Sequence, residues 1–153
     1  MGWPQGFDPA ALDLSIDIDG QWRHQEVTIT HPRIIALLYL SMEKRGEGYF
    51  ICADNLCVPV RIADCPFVVL SVRHLEMGVQ LLLTDGSYEF LAPETLSVDV
   101  RNVPRCLVKD KLHRARFSRQ AWNQLAEAIH PDGEEGYLLR AGAKEYPMRL
   151  LDE

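Results

Sequence analysis

The stretch Gly48–Ile62, GYFICADNLCVPVRI, is written a second time at Gly136–Leu150 as GYLLRAGAKEYPMRL, with Gly, Tyr, Ala, Pro and Arg in the same places. The first copy reads as a β-hairpin, because strand-like YFICA and LCVPVRI flank Asp54 and Asn55, residues that tolerate the positive φ of a two-residue turn. Gly142 and Ala143 hold that place in the second copy. The register this turn dictates sets Ala53 opposite Leu56 and Cys52 opposite Cys57, and in the second copy Arg140 opposite Glu145. A thiol pair and an opposite-charge pair are both compatible cross-strand neighbours. Counting on from the turn, Pro59 and Pro147 fall at non-hydrogen-bonded positions, where a residue without an N–H removes nothing from the ladder. Both strands are therefore expected to be edges, or to be broken at the proline.

Working outward, a helix precedes each hairpin. HPRIIALLYLSMEKRG has Pro32 at a first helical position, basic residues for a last turn and Gly46 as a stop. SRQAWNQLAEAIHPDG has Ser118 as N-cap and sets Trp122, Leu125, Ala126 and Ile129 on one stripe. Before each helix stands a hairpin with an Asp-Gly turn, at Asp19-Gly20 and at Asp85-Gly86. The pattern predicts an α+β fold with an internal duplication of a hairpin-helix-hairpin unit and mainly antiparallel sheets. The strands FVVLSV and TLSVDV are insertions between the copies. The expected boundaries are an N-terminal tail over 1–12, a first repeat over 13–75 and a second over 76–153.

Composition narrows the function. The 153 residues are 47% hydrophobic and 25% charged, which is an ordinary globular balance. The N-terminus lacks a basic start followed by an apolar run, and Ile34–Leu40 is far too short to span a bilayer, so a cytoplasmic protein that does not contact membrane is expected. A net charge of −6 argues against general nucleic-acid binding. The charge is uneven: Arg101 to Arg119 holds seven of the sixteen Lys and Arg residues and a single acid, Asp110, so the remainder is strongly acidic. Cys52, Cys57, Cys65 and Cys106 lack the paired spacing of a zinc site, and no metal or cofactor is expected. In a reducing compartment Cys52 and Cys57 are expected to stay as thiols.

Taken in order along the chain, IDGQW, HPRI, GYFI, DCPF, VKDKL with RFSR, and GYLLRAGAKEYPM resemble the bacterial proteins of the domain of unknown function 1285 family. The resemblance implies a duplicated core, a C-terminal half like a pleckstrin-homology fold, and a ligand-sensing or signalling role with a nucleotide-like ligand at the interface of the halves. It implies no enzymatic activity.

Anion recognition is the chemistry the residues themselves favour. Arg33 follows Pro32 at the start of one helix and Arg119 follows Ser118 at the start of the other, where unpaired backbone N–H groups welcome negative charge. His31 stands beside the first of these starts. Lys109 and Arg116 belong to the basic segment, and Asp64 and Phe67 flank the link between the repeats. Phe67 or Trp22 offers a face on which a base can stack. The expected site is thus Trp22, His31, Arg33, Asp64, Phe67, Lys109, Arg116 and Arg119, taking an anionic, nucleotide-like small molecule. Two alternatives stand beside it. One is an adaptor that pairs exposed strand edges with a protein partner. The other is a cysteine-dependent enzyme using Cys65, although none of the five histidines has a recognisable relation to it and a structural thiol is the plainer reading.

Overall fold

The computed structural model describes residues 13–53, 56–134 and 136–151; the expected N-terminal tail, 1–12, and the Asp54-Asn55 turn lie outside them. The chain forms two compact units that divide between Asp64 and Cys65, ahead of the boundary expected after residue 75.

In the first unit, β1 (Leu14–Ile16), β2 (Trp22–His24) and β3 (Val27–Thr28) precede α1 (Pro32–Leu40), and β4 (Met42–Arg45), β5 (Gly48–Ala53) and β6 (Leu56–Ile62) follow it. They form one sheet in the order β3-β2-β1-β6-β5-β4. Only β1 and β6 run parallel among these pairs. Leu14, Ile16, Trp22, Leu38 and Ile51 are the most deeply buried side chains of the unit. His31 caps α1, its Nδ1 accepting from the Arg33 N–H at 3.2 Å.

In the second unit, β7 (Phe67–Leu75), β8 (Gly78–Leu83) and β9 (Tyr88–Phe90) lead through a 3-10 turn (Pro93–Thr95) to β10 (Ser97–Val98), β11 (Pro104–Val108) and β12 (His113–Phe117). After α2 (Arg119–Ala126) come β13 (Ile129–Asp132), β14 (Gly136–Ala141), β15 (Lys144–Pro147) and β16 (Arg149–Leu150). One sheet has the order β16-β10-β11-β12-β7-β8-β9 and the other β13-β14-β15. The fold is α+β, with mixed and mainly antiparallel sheets.

The hairpin register is as the sequence dictates. Cys52 faces Cys57, Ala53 faces Leu56 and Arg140 faces Glu145. Pro59 pairs with Phe50, and Pro147 with Leu138. Pro147 ends β15, and beyond it Arg149 and Leu150 run parallel to β10. Pro59 neither ends nor edges its strand: β6 runs unbroken through it between β1 and β5, Val60 pairing with Tyr49 on one side and Leu14 on the other, and the proline's missing N–H is accommodated because pairing with β1 starts only at Val60.

Three further expectations need correction. Both helices are shorter than the sequence pattern implied. Lys44 and Arg45, read as a helix end, lie in β4, and Ile129, read as part of a helical stripe, lies in β13. Pairing with β5 and β14 supplies these residues with backbone partners that another helical turn would forgo, and Pro131 cannot sit inside a helix. Gly46, at φ +64°, turns β4 into β5. Secondly, the counterpart of the Asp17 turn is not the Asp85-Gly86 hairpin. In the first unit Asp17 Oδ1 accepts from the N–H groups of Asp19 and Gln21, and its Oδ2 from Arg23 Nε at 3.0 Å. The same arrangement stands at Asp99, whose Oδ1 accepts from the N–H groups of Arg101 and Val103, and whose Oδ2 accepts from Arg105 at 2.8 Å. Gly20 (φ +84°) of one turn is matched by Asn102 (φ +64°) of the other. TLSVDV is therefore the first strand and turn of that pattern rather than an insertion. Thirdly, Cys52 and Cys57 are joined in a disulfide. Their non-hydrogen-bonded register brings the Cα atoms to 4.1 Å, close enough for the sulfurs to meet.

Candidate anion-binding site

The basic segment is largely consumed by the protein's own acids. Arg105 pairs with Asp99, Lys111 with Glu94 at 2.7 Å, and Lys109 Nζ with Asp85 at 2.7 Å. Lys109 Nζ also donates to Ser87 Oγ, and it stands 5.6 Å from the centre of the Phe67 ring. Burial works to raise the Asp85 pKa, but hydrogen bonds from Lys109 and Ser87 outweigh it and hold the carboxyl below its ordinary range. The Arg105 guanidinium, with the backbone N–H groups of the turn, holds Asp99 down to about 2. Nor do Arg105, Lys109 and Lys111 share one face of a strand: β11 ends at Val108, and Lys109 to Lys111 take left-handed backbone angles in a turn.

What remains concentrates at the start of α2. The Ser118 N–H donates to Val69 O, and Ser118 Oγ accepts from the Ala121 N–H at 3.1 Å, so the helix begins where β12 leaves off, beside Val69 of β7. Further along, the Val72 N–H donates to Gln124 Oε1 at 2.7 Å, which ties the helix to β7. Beside this start is a cleft of about 370 Å³, bounded by Arg101 and Asn102 of the β10–β11 turn, Arg116 at the end of β12, and Ser118, Arg119 and Trp122 of α2. Three arginines from three elements thus line one cavity. Among the described residues no carboxylate pairs with Arg101 or Arg119. Asp99 is drawn to Arg105, and by accepting from the Arg101 and Val103 N–H groups it fixes the turn that carries Arg101. Arg116 stands opposite Arg105 across the strand pair.

The expected site residues separate on this frame. Arg116 and Arg119 border the cleft. Phe67 is 3% exposed, in the second unit's core beside His113, and Lys109 is engaged with Asp85. In the first unit Trp22 is buried edge-on to Tyr39, with no acceptor for its Nε1 among the described residues, which removes it as a stacking platform. His31 and Arg33 are exposed at the start of α1, and Asp64 is half-buried at the end of that unit. Sequence reasoning missed Asn102 as a wall of the cleft and left Arg101 as one charge among seven. Equivalence to Gly20 was the available signal, and it is hidden because glycine and asparagine differ as letters while sharing a backbone region.

Cysteine chemistry finds little footing. Cys65 and Cys106 are both buried, and burial first, then the charge of Glu89 and the nearby Cys65, push the Cys106 thiol far up. The one group of potential metal ligands among the described residues is Glu43, Cys52 and Cys57, whose two sulfurs are bonded to each other.

The fold places the chain in a structural class already seen in bacteria. It has the architecture of two solved DUF1285 family proteins. One, from Silicibacter pomeroyi DSS-3, superposes with a TM-score of 0.72 at 18% identity, covering 90% of this chain and 80% of that one. The other, from Shewanella baltica OS155, gives 0.63 at 10% identity, over 77% of this chain and 93% of that one. No protein-family model and no curated protein matches the sequence.

Proposed function

We propose that the protein is a non-enzymatic ligand sensor of DUF1285 type, and that its second unit binds a phosphate- or carboxylate-bearing small molecule in the Arg101–Arg116–Arg119 cleft. The observation that carries this reading is that three arginines line one cavity, and that two of them, Arg101 and Arg119, pair with no carboxylate among the described residues. Charge-assisted hydrogen bonds from guanidinium groups suit oxyanions, and first-turn N–H groups of α2 add to the positive field. Signalling, in this proposal, follows from ligand-dependent ordering of the β10–β11 turn against α2. The recurrence of the Asp17 turn at Asp99 supports descent by internal duplication. The order of six strands, β7 to β12, followed by α2 is the basis for keeping the pleckstrin-homology-like description of the second half.

Titration calorimetry with inorganic phosphate, pyrophosphate and nucleoside monophosphates at low and high salt tests the site. Binding should weaken as salt rises, and Arg116→Ala or Arg119→Ala should each cost about 1 to 3 kcal/mol. Affinity indifferent to salt and to both substitutions would remove the proposal. The adaptor reading draws support from sheet ends that expose apolar side chains, β9 with Tyr88 and Phe90 and β3 with Val27.

Among the described residues no helix is long and apolar enough to cross a membrane. The cytoplasmic location is carried in the proposal, and alkylation of Cys52 and Cys57 in intact cells tests it. A reduced, readily alkylated pair would agree with that location, whereas a pair protected until it is chemically reduced, as the disulfide of the structure implies, would overturn it.

A further inference from the structure

A second cleft, of about 330 Å³, adjoins the arginines in the same unit, and it shares Asn102 and Trp122 with the first. Its chemistry is the opposite. Val98, Ile129, Met148 and Leu150 supply aliphatic walls, and Ala126 and the Tyr137 ring complete it. Tyr137 and Leu150 are 46% and 51% exposed, so this is apolar surface held open to solvent rather than spare core. Helix geometry connects the two cavities. Arg119, Trp122 and Ala126 stand at i, i+3 and i+7, on one stripe of α2, so their backbone positions span about 10 Å of helix axis at 1.5 Å per residue. The shared wall is also where the second unit departs from the first. The left-handed position that Gly20 fills in one turn is filled in the other by Asn102, which places an amide side chain at a backbone angle most residues avoid.

We infer that the ligand is an amphipathic anion with a short aliphatic chain, its charged head between Arg101, Arg116 and Arg119 and its chain along α2 over Trp122 to Ala126. The inference rests on the anion-binding reading above and adds the half of the ligand that the arginines do not see. Charge complementarity selects the head, and the aliphatic wall selects the chain over a nucleobase. A base buried there would meet few partners for its polar edge beyond Asn102, which is costly. The volume lies at the small end of ligand cavities, which fits a chain rather than a ring system with substituents.

A homologous series measures this directly: inorganic phosphate, then butyl, hexyl and octyl phosphate below their aggregation thresholds, with octanol and adenosine monophosphate alongside, titrated into the full chain. Affinity should rise about fourfold for each added methylene until the groove is filled, and octanol should bind far more weakly than octyl phosphate. Ala126→Phe, which fills the groove from an exposed helix position, should erase the gain with chain length. A flat series with phosphate still bound in a salt-dependent way overturns the amphipathic ligand and leaves the anion site standing. Failure of phosphate and of every chain to bind overturns both. Adenosine monophosphate binding more tightly than octyl phosphate, octanol binding as well as octyl phosphate, or a gain that survives Ala126→Phe each refutes the assignment of an aliphatic chain to this groove.

Discussion

Asp99 shows how much one carboxylate decides. Its two oxygens close the β10–β11 turn, neutralise Arg105 and so leave Arg101 facing the cleft without an acid of its own. Because its folded pKa lies near 2, below the ordinary 3.8, its stabilisation is fully present above the ordinary value and is lost as pH falls through about 2. Asp99→Ala should therefore lower the melting temperature at pH 7. The deficit should shrink as pH falls from about 4 and vanish below about 2. Thermal unfolding of both proteins across that range checks the sign, and a deficit constant with pH would assign the effect to something other than the charge. The residue was readable as polar and nothing more, since its role depends on Arg105, which reaches it only when β10 and β11 pair.

At the scale of elements, turns carry the strongest constraints. Gly142 turns β14 into β15 at φ +65°, and a Cβ there would stand 3.0 Å from the Glu76 carbonyl oxygen and 3.2 Å from the Gly78 nitrogen. Gly46 has nearly the same angle with open space around it. Alanine at Gly46 should cost about 1 kcal/mol from backbone strain, and alanine at Gly142 about 2 to 3 kcal/mol, the excess measuring contact with the β7–β8 turn. Equal costs in chemical denaturation would show that the turn yields. In the first unit, reduction of Cys52–Cys57 should lower stability by up to about 2 kcal/mol, the value for a loop of this length. The hairpin register was legible because turn length and proline position both restrict it. Helix ends were not: Met42 to Arg45 are helix formers by local preference and become β4 only because β5 is there to pair with them, whereas at Ile129 to Asp132 the warning carried by Pro131 was outweighed by the helical stripe that ends in Ile129.

For the molecule as a whole, net charge misleads about where charge can act. The segment Arg101 to Arg119 looks uniformly basic, yet Arg105, Lys109 and Lys111 are answered by Asp99, Asp85 and Glu94 from elsewhere in the second unit. Those pairs commit much of the charge that the segment shows as a string of letters. Charge reversal separates the roles. Asp85→Lys should destabilise the protein by leaving Lys109 half-buried against a second cation, and it should change phosphate affinity little because Asp85 does not border the cleft. Unfolding and binding measured on the same variant distinguish the two effects. Affinity falling in step with stability would mean the cleft and the Asp85 cluster are one cooperative structure.

The sequence by itself determined the class of fold, the two hairpins, their register and the break at Pro147, because strand alternation, turn residues and a missing N–H act over a few positions of chain; that Pro59 lies inside an unbroken, internal β6 was decided by the pairing with β1. It also located the helix starts at Pro32 and Ser118 and two of the cleft's arginines, Arg116 and Arg119. Only the tertiary structure decided that Phe67 and Trp22 are core, that Lys109 is spent on Asp85, that Asp99 rather than Asp85 repeats the role of Asp17, and that Arg101 and Asn102 complete the cleft. The reason is physical. An ion pair or a cavity wall is made by groups brought together from distant parts of the chain, and its energy depends on distance in space, which local sequence does not encode.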